Sequence, residues 1–286
     1  MKLVSFSFCD RDSFGVNVGD RIVDLGRRYA GQFATLKDAI AGRLFEVDFA
    51  VPASDDSDPL MAAVRLLPPI PHPDKIICVG RNYRGHIAEA GLKLPDYPNL
   101  FIRLDNTLVA HDSPLVRPQV SNNFDFEGEL AIVIGKAGRY VARDQALDYV
   151  FGYACFNDAT LRDFQFDHSL TAGKNFEATG GFGPWIATSD EVGDPRELEL
   201  TTHINGREMQ RGHLRDLIFD IPYLISYVSQ ITTLSPGDIL ATGTPDGVGF
   251  VRKPPVWLSP GDEVEVCISR VGSLVNPVAS SAGKTN

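Results

Sequence analysis

The sequence lacks the marks of membrane insertion, nucleic-acid binding and disulfide or zinc cross-linking. No stretch approaches the ~20 apolar residues that a membrane helix needs. No run of lysine and arginine offers a patch for phosphate backbones or anionic lipid. The charge balance points the other way: 27 Lys and Arg face 37 Asp and Glu, for a net charge of -10. The four cysteines (Cys9, Cys78, Cys155, Cys267) lie far apart and form no C-x-x-C pair. That excludes a zinc ribbon or a thioredoxin-type redox pair. Cys78, Cys155 and Cys267 sit in apolar runs and read as small core residues. The opening MKLVSFSFCDRDSF is interrupted too early for a signal core, so the expected location is the cytoplasm, with no nucleic-acid or membrane partner.

What is present is a chain of 286 residues, 43% hydrophobic, with 26 glycines and 19 prolines. Such a chain can bury a sizeable core and should be rich in turns and short strands. Two alternating stretches, Leu3 to Phe8 and Gly15 to Val23, predict a hairpin, and Ala34 to Ala41 a short helix. The string LLPPIPHPDK, Leu66 to Lys75, is too proline-dense for helix or inner strand and reads as an extended connector. It divides a small N-terminal unit, residues 1–70, from a main domain, residues 71–280, with a flexible tail at 281–286. The last ten residues, Pro277 to Asn286, read as frayed. Further strands are expected at Ile76–Val79, Leu130–Ile134, Trp185–Ala187, Leu198–Ile204, Ile239–Thr242 and Val264–Ile268. One helix should follow Tyr83. Another should start at Asp220 as N-cap, with Pro222 in its first turn and Leu224, Ile225, Val228 and Ile231 as its apolar stripe. Leu234-Ser-Pro-Gly-Asp238 recurs as Leu258-Ser-Pro-Gly-Asp262, a type II turn signal used twice.

The most chemically pointed segment is Asp125-Phe-Glu127-Gly-Glu129, which runs into Leu130-Ala-Ile-Val-Ile134. In an extended chain its three carboxylates share a face, an arrangement that calls for a cation. Oxygen donors of this kind suit Mg²⁺, Mn²⁺ or Ca²⁺ rather than zinc. Asp158 and Asp163 are equally plausible third ligands on spacing alone. His86 and Glu89 are three apart, so a helix would put them on one face, as a directed general base or as a surface ion pair. Lys174 precedes a glycine-rich stretch, but in the wrong order for a phosphate loop. Ala241-Thr-Gly-Thr244-Pro-Asp-Gly-Val-Gly249 is a small-residue loop whose hydroxyls and amides could hold a carboxylate.

Taken in order, N-Y-x-x-H-x-x-E, D-F-E-G-E-L, N-D-x-x-x-R-D-x-Q, K-x-F and P-G-D-x-[IVL]-x-T-G-T-P-x-G-V-G resemble the fumarylacetoacetate hydrolase superfamily, from about Lys75 to Val278. The resemblance implies an α+β, mostly β fold: a mixed β-sandwich roll preceded by a small N-terminal domain and usually dimeric. It implies metal ligands at Glu127, Glu129 and Asp158, which leaves Asp163 aside. It further implies a general base and its partner at His86 and Glu89 on a lid-like segment, a substrate-contacting Lys174, and substrate-binding Arg81, Gln165 and Thr244. The chain departs from the common pattern at Gly85, often Asp, and at Arg103, often Lys.

The activity implied is a divalent-metal-dependent hydrolase, Mg²⁺ by expectation and Mn²⁺ or Ca²⁺ as substitutes. It would cleave a carbon–carbon bond in 2,4-dioxo (acylpyruvate-like) acids through a metal-stabilised pyruvate enolate, as in catabolism of aromatic compounds. The same constellation also serves oxaloacetate-type decarboxylation, or isomerisation and hydration of dienoic 2-oxo acids. A non-enzymatic divalent-ion binding module is the alternative from another class.

Overall fold

Strand Gly128–Ile134 is buried along its whole length, so its alternating side chains must serve two cores. Leu130, Ile132 and Ile134 pack with Leu200, Val266 and Leu274 of a second sheet. Ala131 and Val133 face the other way, into a core shared with Leu3, Phe14 and Leu36 near the N-terminus. The architecture follows from that division. The computed structural model describes residues 1–46 and 48–281.

The larger sheet is mixed. Its continuous path runs Arg21–Asp24, Arg11–Val18, Lys2–Phe8, Gly180–Thr188, Val150–Asn157, Gly128–Ile134, Ile239–Ala241, Ile76–Gly80, Asn99–Arg103. Most neighbours are antiparallel, but Ile239–Ala241 pairs in parallel with Ile76–Gly80. The second sheet runs Arg207–His213, Glu199–Ile204, Glu263–Ile268, Gly272–Ser280, Leu115–Arg117. With short helices at the margins, this is a mostly β, α+β roll. Among the described residues, no helix is long and apolar enough to cross a membrane.

The N-terminal strands are continuous with this framework. Leu3 pairs with Ile186, and the core around Ala131 and Val133 includes Phe14 and Leu36. The proline connector at residue 70 therefore coincides with no break in the sheet or the core.

Several local expectations need correction. The stretch Gly15–Val23 is not one strand, because Gly19 at φ 66 turns the chain and makes a third strand, Arg21–Asp24. Ile231 does not complete an apolar stripe. It lies at the end of helix Ile221–Ile231 and is 59% exposed, while Leu224, Ile225 and Val228 are buried. The segment from Pro277 to Ser280 is not frayed, since it continues strand Gly272–Ser280 and pairs Val278 with Leu115. The rest of the expected tail, residues 282–286, lies outside the described residues. Asp220 does cap its helix, accepting from the Tyr223 N–H at 2.9 Å. Both Ser-Pro-Gly-Asp turns close alike: the Asp238 and Asp262 N–H groups reach the Ser235 and Ser259 carbonyls at 3.0 Å, with Gly237 and Gly261 at positive φ.

One glycine decides how closely the sheets approach at the head of Gly128–Ile134. A Cβ on Gly128 would overlap Thr202 Oγ1 and press on Leu200 and Val266. Gly128→Ala should therefore destabilise the protein by about 1–3 kcal/mol, the usual cost of overpacking. Urea unfolding measures it, and an unchanged midpoint would contradict the packing described.

Candidate functional site

The ladder between Gly128–Ile134 and Val150–Asn157 ends with Gly128 opposite Asn157, and the acidic residues emerge where it stops. Just past its end, the Asp158 N–H donates to the Glu127 carbonyl at 2.8 Å, and the Asn157 side-chain oxygen accepts from the Glu127 N–H at 3.0 Å. Glu127, Glu129 and Asp158 converge, each offering a carboxylate oxygen within 4.8 Å of the others. All three are buried. Asp163 is elsewhere, accepting from Ser121 Oγ at 2.8 Å.

Asp125 leaves the group that alternation assigns it to. Its short strand, Phe124–Asp125, pairs with Thr160–Leu161, and Phe126 drops into a separate apolar cluster. The Asp125 carboxylate instead accepts from the Gly249 N–H at 2.7 Å and from Arg162 Nε at 2.8 Å, pinning the glycine-rich loop.

Three buried cations answer these acids. Lys174 Nζ donates to Glu127 Oε2 at 2.5 Å, Asp158 Oδ2 at 2.6 Å and the Asp158 carbonyl at 2.9 Å. An ammonium has three N–H donors, so all of them are engaged. Arg103 Nη1 donates to Asp158 Oδ1 at 2.6 Å. Arg162 Nη2 lies 2.6 Å from Glu127 Oε1. Burial alone would raise the Glu127 pKa, but Lys174 and Arg162 outweigh it and hold the group down at about 2. Glu129 goes the other way. Burial and the charges of Asp158 and Glu127 push it well above the usual carboxylate range, and the Gly243 N–H at 2.8 Å is its hydrogen-bond donor. Burial lowers the Lys174 pKa, but Asp158 and Glu127 more than compensate and the ammonium is held charged.

The donor set therefore fits a divalent ion. It is all oxygen, it is buried, and Glu129 is pushed upward for want of positive charge. Glu127, Glu129 and Asp158 would hold the ion.

Helix Arg84–Glu89 brings the remaining pair. His86 Nδ1 lies 2.9 Å from Glu89 Oε1, and Glu89 Oε2 accepts from the Gly247 N–H at 2.8 Å. Gly85 lies against the exposed Asp246 side chain, which a Cβ at this position would have to displace. Arg81, His86, Glu127, Glu129, Asp158, Gln165, Lys174 and Thr244 all line one cleft of about 590 Å³. Glu89 stands behind His86. The outer wall is apolar, formed by Leu92, Phe166, Leu170 and Phe250.

Sequence reasoning assigned no role to Arg162 or Gln210, and it grouped Asp125 with the cation-facing carboxylates rather than with Arg162 and the Gly249 loop. Gln210 donates to Thr244 Oγ1 at 2.8 Å from a strand of the other sheet. A lone polar residue in an alternating strand carries no sign of where its side chain will end.

Residues 75–279 match the family model described as Fumarylacetoacetate (FAA) hydrolase C-terminal, and the chain belongs to that family. The Bacillus subtilis oxaloacetate tautomerase YisK is 40% identical over 76% of this chain and 74% of its own. The mitochondrial oxaloacetate tautomerase FAHD2A of Bos taurus is 39% identical over 75% of this chain and 69% of its own. The solved maleylpyruvate hydrolase of Sphingobium sp. SYK-6, in complex with manganese(II) and pyruvate, superposes with a TM-score of 0.78 at 32% identity, covering 99% of this chain and 100% of that one.

Replacing Lys174 with Met would leave Glu127 and Asp158 short of a buried partner. Such a loss costs about 3–5 kcal/mol. Thermal unfolding in chelator should show it, whereas Asp163→Asn, outside the cluster, should unfold near the unmodified midpoint.

Proposed function

We propose that this protein is a divalent-cation-dependent enzyme that interconverts the keto and enol forms of a small 2-oxo dicarboxylic acid of the oxaloacetate kind. The observation that carries this reading is that His86, backed by Glu89, lines one cleft together with the acidic trio. The names of the relatives at 39–40% identity point the same way.

A cation held by Glu127, Glu129 and Asp158 would supply Lewis-acid polarisation of a chelating 2-oxo acid. The chain's own residues do the rest. His86 donates its Nδ1 proton to Glu89, which leaves Nε2 as the basic ring nitrogen. Nε2 takes a proton from C3 of the keto acid, and the electron pair of that C–H bond becomes the C2–C3 double bond. The same imidazolium then returns the proton to the C2 oxygen, so nothing is gained or lost overall. Lys174, its donors spent on Glu127 and Asp158, contributes charge to the developing oxyanion rather than a free N–H. Arg81 lines the cleft and has no ion-pair partner among the described residues, so it can meet a substrate carboxylate.

A second reading is hydrolysis of a 2,4-dioxo acid, with His86 activating water instead of taking a C–H proton. It is favoured by the maleylpyruvate hydrolase named above, whose likeness extends over the whole chain. Both readings start from the same acid–base pair.

Enol absorbance separates them. With Mg²⁺ or Mn²⁺, freshly dissolved oxaloacetate should reach its keto–enol equilibrium faster when the protein is present, with no more pyruvate formed than the metal alone produces. His86→Ala should slow this by about 10²–10⁴-fold while Mn²⁺ still binds. Acylpyruvate consumption that yields pyruvate and a carboxylic acid would select the hydrolase instead. An unimpaired His86→Ala variant would remove the base from either mechanism.

A further inference from the structure

We infer that Gln210 is a positioning residue that fixes both the spacing of the acidic trio and the direction of the Thr244 hydroxyl proton, an inference that rests on the metal-site reading above. Gln210 is 1% exposed, in strand Arg207–His213 of the second sheet, and does not line the cleft. Its side chain crosses between the sheets. Nε2 donates to Thr244 Oγ1 at 2.8 Å and to the Pro245 carbonyl at 2.9 Å, and Oε1 accepts from the Gly128 N–H at 3.0 Å. Thr244 Oγ1 then donates to the Gly128 carbonyl at 2.9 Å. The two side chains thus grip both polar groups of the residue that separates Glu127 from Glu129.

The proton directions in this ring are forced. The Gly128 N–H can only donate, so it must face the amide oxygen. The Pro245 carbonyl can only accept, so it must face the amide nitrogen. The nitrogen therefore donates to Thr244 Oγ1, whose single proton is committed to the Gly128 carbonyl. Toward the cleft, Thr244 has only a lone pair to offer. It accepts a hydrogen bond from an enol hydroxyl or a water, and a substrate carboxylate must find its donors elsewhere. Gln210 thereby makes this wall of the cleft select a hydroxyl-bearing ligand.

Gln210→Met keeps the length of the side chain and removes all three bonds. Mn²⁺ titration followed by electron paramagnetic resonance on the full chain reads the site without turnover. Losing a partner that orients metal ligands costs about 10–100-fold in affinity, so at least a tenfold weakening is expected. Thr244→Val should act in the same direction, Thr244→Ser should restore the affinity, and the double variant Gln210→Met/Thr244→Val should be no weaker than the worse single one. Thr202→Val reports on general loosening. Its hydroxyl also abuts Gly128 but has no hydrogen-bond partner among the described residues, so Mn²⁺ affinity should be unchanged.

Full affinity in Gln210→Met overturns the inference, as does strict additivity of the two variants or an equal loss in Thr202→Val. If Gln210→Met does not fold, the Thr244→Val and Thr244→Ser pair decides. Tight Mn²⁺ binding by the unmodified chain without turnover of any 2-oxo acid defeats the functional reading and leaves this inference standing. No Mn²⁺ binding at all defeats both.

Discussion

The structure depends on a buried imbalance of charge. Asp125, Glu127, Glu129 and Asp158 are gathered out of water, with Arg103, Arg162 and Lys174 set against them. Burying paired ions seldom adds net stability, because desolvation consumes most of the Coulombic gain. A hydrophobic cluster of equal volume would serve the fold as well. The cluster makes physical sense as a device for holding a further cation, since four carboxylates face three cationic side chains. The shortfall is localised. Glu127 and Asp158 share Lys174, Asp125 and Glu127 share Arg162, and among the described residues Glu129 is held by a single backbone N–H.

The fold can be read as the means of bringing these groups together. The strand bearing Glu129 is covered on both faces, so its pattern of even residues toward the second sheet and odd residues away fixes which side the carboxylate takes. The N-terminal strands widen the larger sheet and complete the core on the odd side, which ties this unit to the site through packing, although none of its described residues lines the cleft. At the other edge of the sheet, strand Asn99–Arg103 delivers Arg103 to Asp158.

How much of this was legible in the sequence depended on distance along the chain. Period-2 alternation correctly put Glu127 and Glu129 on one side, because both belong to or abut a single strand. It misplaced Asp125, because the chain breaks at Phe126, whose ring is claimed by an apolar cluster that a local pattern cannot reveal. His86 and Glu89 were legible as a pair because a helix sets i and i+3 together, yet the Gly247 amide that holds Glu89 lies 158 residues away. Asp158 could not be told from Asp163 by spacing. The family resemblance chose between them, and the geometry places only Asp158 in the cluster. Gln210 was invisible, since its bond to Gly128 spans 82 residues. Ile231 failed for a simpler reason: helical periodicity does not say where the neighbouring sheet ends.

These different ranges of interaction suggest how one scaffold comes to carry several related reactions. The inner end of the cleft is over-determined, since changing any one acid or cation strands another in a buried place, so the chemistry proposed for it is hard to alter by single steps. The outer end is built differently. Leu92 and Phe166 are exposed, and Arg81, at φ 60, has no buried partner among the described residues. Substitutions there cost little stability, and they meet the part of a substrate that lies beyond its chelating end. The inner cluster is thus suited to fixing the reaction type and the outer wall to choosing among substrates. The keto–enol and hydrolytic readings need the same inner groups, and differ in whether the outer wall admits a water beside His86.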